Sequence, residues 1–168
     1  MYNFYLFKEE KIIDNISNLM NILISKKYRE IYLIGHNIGS SITLYLANKY
    51  DKVKKIIISN PIIKEEKLNF NLSKTVEKEI SKLNKECLNI LSNIRCPILI
   101  IHSLNNKLCH VDNSIFIHDK IASNINYLIT IKDTNNDIYI SNRYKEIYKL
   151  VIDFLILKQE PNTFHLNI

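Results

Sequence analysis

The stretch Ile31-Tyr32-Leu33-Ile34-Gly35-His36-Asn37-Ile38-Gly39-Ser40-Ser41 decides how this chain is read. It opens with four apolar residues without alternation, the pattern of a strand buried on both faces. Gly35 and Gly39, the only two glycines among 168 residues, then bracket a short segment with Asn37 at its centre. Behind it, Ile38, Ile42, Tyr45 and Leu46 recur at helical spacing up to about Tyr50. A strand that turns sharply into a helix pushes its central side chain up out of the turn. Small flanking residues let backbone and helix come close. A hydroxyl or thiol at that apex could be activated as a nucleophile. The carboxamide of Asn37 has no ionisable proton to give up.

Outward from this centre, helical and strand patterns alternate. Ile12, Ile13, Ile16, Leu19, Met20 and Leu23 predict an amphipathic helix within residues 11–27. Val53 to Ser59 reads as a second buried strand, closed by Asn60-Pro61. Residues 62–95 break the rhythm: Val76, Ile80, Leu83, Cys87, Leu91 and Ile94 mark one stripe of a long helix, either a crossover helix or a reduced cap. Pro97 to Ile101 and Tyr127 to Ile131 read as two more strands, with a helix over Val111 to Ile121 between them and a closing helix from Tyr144 to Leu155. Residues 160–168 read as a loose tail. Strands alternating with helices imply right-handed crossovers, a mainly parallel sheet and a three-layer α/β/α architecture in one domain, 1–168. Sites in such sheets lie beyond the carboxyl ends of the strands.

Composition excludes more than it identifies. Hydrophobic residues are 46% and charged residues 24%, ordinary for a globular chain. Isoleucine, asparagine and lysine are overused, so periodicity and rare residues carry more weight than propensity. The net charge of +6 comes from lysines interleaved with glutamates, as in Lys64-Glu65-Glu66-Lys67. Lys52-Val53-Lys54-Lys55 is the densest basic cluster, too short for a nucleic-acid surface, so no nucleic-acid partner is expected. Cys87, Cys96 and Cys109 are an odd number without paired short spacing, which argues against a disulfide framework and a zinc site. No bilayer-length apolar stretch and no leader pattern are read, and the expectation is a cytoplasmic chain without metal or cofactor.

At three strand ends the sequence resembles the α/β-hydrolase superfamily, in particular small serine esterases and monoacylglycerol-lipase-like or lysophospholipase-like members. Residues 31–41 resemble their strand, nucleophile elbow and helix. Cys96-Pro97 to Ser103, followed by Leu104-Asn105-Asn106, resembles the strand and loop of their catalytic acid. Asp133 to Ile138 resembles the loop of their catalytic histidine. The order nucleophile, acid, base also agrees. The resemblance implies that Asn37 stands where the family has serine, Asn106 where it has aspartate, and Asp137 where it has histidine. It further implies that the Ile38 amide is the remaining oxyanion-type donor, and that only the C-terminal part of the family fold is represented. Three replaced positions read as abandoned catalysis, because serine chemistry needs the imidazole that moves the proton.

The expected function is that of a catalytically inactive hydrolase-like protein acting by binding or interaction. The alternatives are a weak esterase or lipase-like enzyme, using another nucleophile or completed by a second chain, and a basic nucleic-acid or membrane-surface binder. Ser40, Ser41 and Cys109 (the last beside His102 or His110) are the substitute nucleophiles to consider. Each is read as packing instead, and His36 as a local hydrogen-bonding or packing residue. The implied truncation would leave the Ile31–Ile34 strand unpaired on one side, an edge open to a homodimer or another chain. The aromatic stretch Tyr2 to Phe7 folding back over it is the other outcome.

Overall fold

In the computed structural model, the described residues are 12–64 and 72–156, together with the backbone of 164–167. The elements are α1 (Ile12–Ser25), β1 (Ile31–His36), α2 (Ile38–Lys49), β2 (Val53–Ser59), α3 (Lys74–Ile90), β3 (Ile98–Ser103), α4 (Asp112–Lys120), β4 (Asn126–Ile131), α5 (Tyr144–Ile156) and β5 (Phe164–Asn167). The five strands form one sheet in the order β1-β2-β3-β4-β5. Every neighbouring pair is parallel, with Gly35 opposite Ile58 and Ile58 opposite Ile100.

Side-chain alternation along the strands divides the core in two. Ile56, Ile58, Ile98, Ile100 and Leu128 face a cluster closed by α1, α2, α3 and α4, through Met20, Leu44, Leu83 and Ile117. Ile57, Leu99, Ile101, Ile129 and Ile131 face the other way, onto Ile147, Val151 and Phe154 of α5. The long stripe is therefore a crossover helix: Ile80, Leu83 and Cys87 are buried, and α3 packs on α2 on its way from β2 to β3. Its N-terminus is capped by Ser73, whose hydroxyl accepts from the Val76 amide.

The last helix has no basic residue in its final turn. Its carbonyls find a donor elsewhere: the buried Lys55 ammonium, from β2, donates to Phe154 O at 2.9 Å and Leu155 O at 2.8 Å. Free carbonyls at a helix C-terminus need such partners, and a cation also suits the dipole.

Two expectations need correction. The strand at Ile31–Ile34 is not buried on both faces: Tyr32 is 43% exposed and Ile34 is 53% exposed. Among the described residues β1 is the edge of the sheet, and the cluster under α5 takes its strand residues from β2, β3 and β4. Nor is the tail loose throughout, since Phe164–Asn167 adds a fifth strand parallel to β4. The aromatic stretch Tyr2 to Phe7 and the cluster Glu65 to Lys67 lie outside the described residues.

Candidate active site at the strand carboxyl ends

Asn37 sits in the turn between β1 and α2 with φ 50° and ψ −118°, a strained conformation outside the regions that L-residues ordinarily occupy. Its amide donates to Ser59 O at 2.9 Å, and its carbonyl accepts from Ser40 N at 3.0 Å. The two glycines are not equivalent. A Cβ on Gly35 would lie 2.4 Å from both Gly39 O and Thr43 Oγ1, whereas one on Gly39 would meet nothing within 4 Å. Gly35 is required by the close approach of strand and helix, and that approach fixes the turn. Asn37 Oδ1 is buried and has no hydrogen-bond partner among the described residues.

The loop after β3 brings Asn106 to the same end of the sheet. Asn106 is occupied locally: its Oδ1 accepts from Leu108 N at 2.7 Å and Cys109 N at 3.2 Å, an Asx-type turn. Next to it, Lys107 N donates to Asn136 Oδ1 at 2.9 Å, tying this loop to the one after β4. Asn60, at the end of β2, bridges both. Its Nδ2 donates to Asn136 O at 2.8 Å and its Oδ1 accepts from Ser103 N at 2.8 Å. Asn60 is fully buried at φ 45°. This amide network was not singled out from sequence, because asparagine is so frequent in the chain that one more carries no signal.

Asp137 reaches the elbow through His36. The His36 ring has Nδ1 at 2.9 Å from Ser59 Oγ and Nε2 at 3.9 Å from Asp137 Oδ1, and Tyr139 lies edge-on to it with centroids 5.7 Å apart. Burial lowers the pKa of His36, an effect partly offset by the Asp137 charge and by contacts with the Ser59 and Asn136 backbone. The imidazole is thus neutral near pH 7. Ser59, His36 and Asp137 form a hydroxyl–imidazole–carboxylate row. However, Ser59 is fully buried and its hydroxyl also donates to Gly35 O at 3.3 Å.

The substitute nucleophiles are engaged in packing contacts. Ser40 Oγ donates to Ser59 O at 3.3 Å, and Ser41 Oγ to Asn84 Oδ1 at 2.6 Å, both inside the core. Cys109 Sγ is buried against Asn60 O at 3.3 Å. His102 pairs through Nδ1 with Ser114 Oγ at 2.7 Å, and His110 with Asp112 at 3.0 Å. Burial pushes the Cys87 thiol up to about 12 and the Cys96 thiol to about 11, so neither is a thiolate at neutral pH. The described residues contain no group of three or more His, Cys, Asp or Glu arranged to hold a metal ion, and no helix long and apolar enough to cross a membrane.

The fold as a whole recurs in solved structures. The Paleococcus ferrophilus monoacylglycerol lipase superposes with a TM-score of 0.76 at 11% identity, covering 89% of this chain and 77% of that one. This chain has the α/β-hydrolase fold. A metagenome-derived lipolytic enzyme matches with TM-score 0.73 at 18% identity, over 84% of this chain and 71% of its own. The esterase domain of a Rhodothermus marinus protein matches with TM-score 0.70 at 14% identity, over 89% and 70%. No family model and no curated protein matches the sequence. Identities this low carry the α/β-hydrolase fold without carrying an activity.

Beside the elbow, α1, α2 and α3 enclose a groove of about 270 Å³. Ile13, Ile38, Ile42 and Leu83 line it, with Asp14, Glu79 and Lys82 at its polar positions.

Proposed function

We propose that this chain is a catalytically inactive α/β-hydrolase-like protein that works by binding. One observation carries the reading: the apex of the elbow is a carboxamide, held in the strained turn. An amide can accept or donate hydrogen bonds to a bound group but cannot be deprotonated into an attacking atom. Asn106 and Asp137 agree with it. The first spends its oxygen on backbone amides, and the second presents a carboxylate where proton transfer would need an imidazole. The experiment is turnover of short-chain p-nitrophenyl esters, together with labelling by a serine-reactive fluorophosphonate. The expected result is a rate equal to a heat-treated control and no labelled band. Turnover abolished by Ser40→Ala or Cys109→Ala would overturn the proposal.

A second reading rests on the Ser59–His36–Asp137 row, in which an imidazole stands between a hydroxyl and a carboxylate as in a serine triad. The two ring nitrogens are exchanged: the hydroxyl meets Nδ1 and the carboxylate lies nearest Nε2. In that case fluorophosphonate labels the chain, and Ser59→Ala and His36→Gln both remove the label. The complete burial of Ser59 weighs for the first reading, since an acyl donor has to touch the oxygen it acylates.

A further inference from the structure

We infer that the amino-terminal end of the sheet, with the adjoining last turn of α1, docks on a membrane leaflet rich in anionic phospholipid. The inference goes beyond the binding role proposed above. It concerns the opposite end of the molecule from the elbow and needs nothing bound there.

The surface is assembled by the fold. A parallel sheet brings the starts of its strands to one end, together with the loop that precedes each. Ile31 N donates to Lys52 O at 2.8 Å, Val53 N to Tyr50 O at 2.9 Å and Ile56 N to Pro97 O at 3.0 Å. The loops before β1, β2 and β3 therefore lie side by side, and the Tyr50 hydroxyl, donating to Ser17 O at 3.4 Å, ties α1 to the same corner. In sequence Lys52-Val53-Lys54-Lys55 is only a short basic cluster, and Lys55 turns inward onto α5. The sheet order sets Lys26, Lys27 and Arg29 on one side of Lys52 and Lys54, and Arg95 on the other, all exposed. Lys49, exposed at the end of α2, is the seventh cation. The same segments carry two carboxylates, Glu30 and Asp51, and Glu30 already accepts from the Tyr32 hydroxyl at 2.6 Å. This corner thus has an excess of five positive charges, against +6 for the whole chain.

Gathering like charge at one end opposes folding through self-repulsion. Lys27 adds a local cost, since it ends α1 at φ 61°, the left-handed position that glycine or asparagine usually fills. A chain rich in asparagine keeps a lysine there, and such broken local rules mark surfaces that are used. The apolar neighbours select the kind of polyanion. Leu19, Ile22 and Lys26 fall on one flank of α1, whose last turn runs on through the bond from Lys26 N to Ile22 O. Leu19 and Ile22 are each about half exposed, and so is Tyr28, between Lys27 and Arg29. A nucleic-acid backbone offers aliphatic side chains no partner. A leaflet takes aliphatic and aromatic groups below its headgroups and pairs the surrounding cations with lipid phosphate and carboxylate. The other end of α1, at Ile12, lies about 20 Å away, so this corner stands apart from the groove beside the elbow.

The test is co-sedimentation of the full chain with vesicles of phosphatidylcholine, alone or with about one-third phosphatidylserine, at about 0.1 M salt. The expected result is binding to the anionic vesicles only, lost at about 0.5 M salt. Each cation near such a leaflet is worth roughly fivefold in binding, so Lys26→Gln, Lys52→Gln and Arg95→Gln should each weaken it by about that factor. Lys26→Glu, Arg29→Glu and Lys52→Glu together should abolish it. Lys74→Glu, Lys132→Glu and Lys145→Glu together change the net charge equally at the opposite end, and should bind like the parent. The chain has no tryptophan, so Tyr28→Trp supplies a single reporter without removing a charge. Its emission should shift to the blue on anionic vesicles and be quenched by brominated acyl chains, whereas that of Tyr148→Trp should not change. Equal binding to pure phosphatidylcholine, an equal loss in the opposite-end triple variant, or unshifted emission from Tyr28→Trp would overturn the inference. So would tighter binding of a single-stranded oligonucleotide than of the vesicles at the same salt. Ester turnover plays no part in these measurements, so membrane docking and the inactive-site reading fail separately.

Discussion

β1 and β3 are written in nearly the same letters and live in different surroundings. Ile31-Tyr-Leu-Ile and Ile98-Leu-Ile-Ile are both short uninterrupted apolar runs. All six residues of β3 are buried between two neighbouring strands and two helical layers, whereas β1 has one neighbour among the described residues and alternates between buried or half-buried and exposed positions. The difference teaches that an apolar run records how much burial a strand can use, and not how much it receives. Coverage is decided by neighbours, which are remote in sequence.

The strongest way to break this comparison is to truncate the same side chain in both strands. Ile100→Ala should cost roughly 2–5 kcal/mol of unfolding free energy, since the fully buried side chain leaves a cavity. Ile34→Ala, read by urea denaturation at submicromolar chain, should stay within about 0.5 kcal/mol. Equal losses would mean that β1 is as enclosed as β3.

Next in size is a pH effect carried mainly by the buried strand. Burial pushes the His102 imidazole down to about 4, with only partial relief from the Cys109 backbone. The unfolded chain takes up this proton near the ordinary pKa of ~6.5. Between about pH 6.5 and 4 the unfolded state therefore binds more protons, and stability falls as the pH falls. The contribution is complete above that window and gone below it. The amount at stake is about 3 kcal/mol. His36 is lowered too, and acts in the same direction. Denaturation midpoints measured from pH 7.5 to 4 should show this slope, and His102→Gln should flatten it. A variant with the parent slope would show that the imidazole is not held neutral.

The smallest effects sharpen the reading of the elbow at the end of β1. Gly35→Ala drives a methyl into Gly39 O and Thr43 Oγ1 and should cost on the order of 1–3 kcal/mol. Gly39→Ala enters open space within α2 and should be neutral or stabilising by about 0.5 kcal/mol. Thermal melts of the two variants moving by the same amount would remove the distinction between them.

Most of the fold was legible because periodicity survives compositional bias. The helix at residues 11–27, the strand at Val53–Ser59 and the closing helix are found at Ile12–Ser25, Val53–Ser59 and Tyr144–Ile156. The strand-to-helix turn at Asn37 was legible for a different reason: two glycines stand out in a chain that otherwise has none. β5 was missed because a four-residue strand after a proline, Phe164–Asn167, has neither length nor alternation to announce it. At the candidate site the sequence pointed to three loops and could not show their cement. Asn60 holding Ser103 and Asn136, and His36 holding Ser59, join residues 23 to 76 positions apart. Such contacts leave no local pattern.

Lys55 gives the molecule a built-in chemical gauge. Its amine is enclosed by β2 and the carbonyls of Phe154 and Leu155, some hundred residues further along the chain. Burial also lowers its pKa. An acylating reagent in solution will modify the surface lysines at once, but it reaches this nitrogen only when the closing helix has lifted from the sheet. The rate at which Lys55 alone is acylated therefore clocks the detachment of α5, in the unmutated protein and without an attached dye.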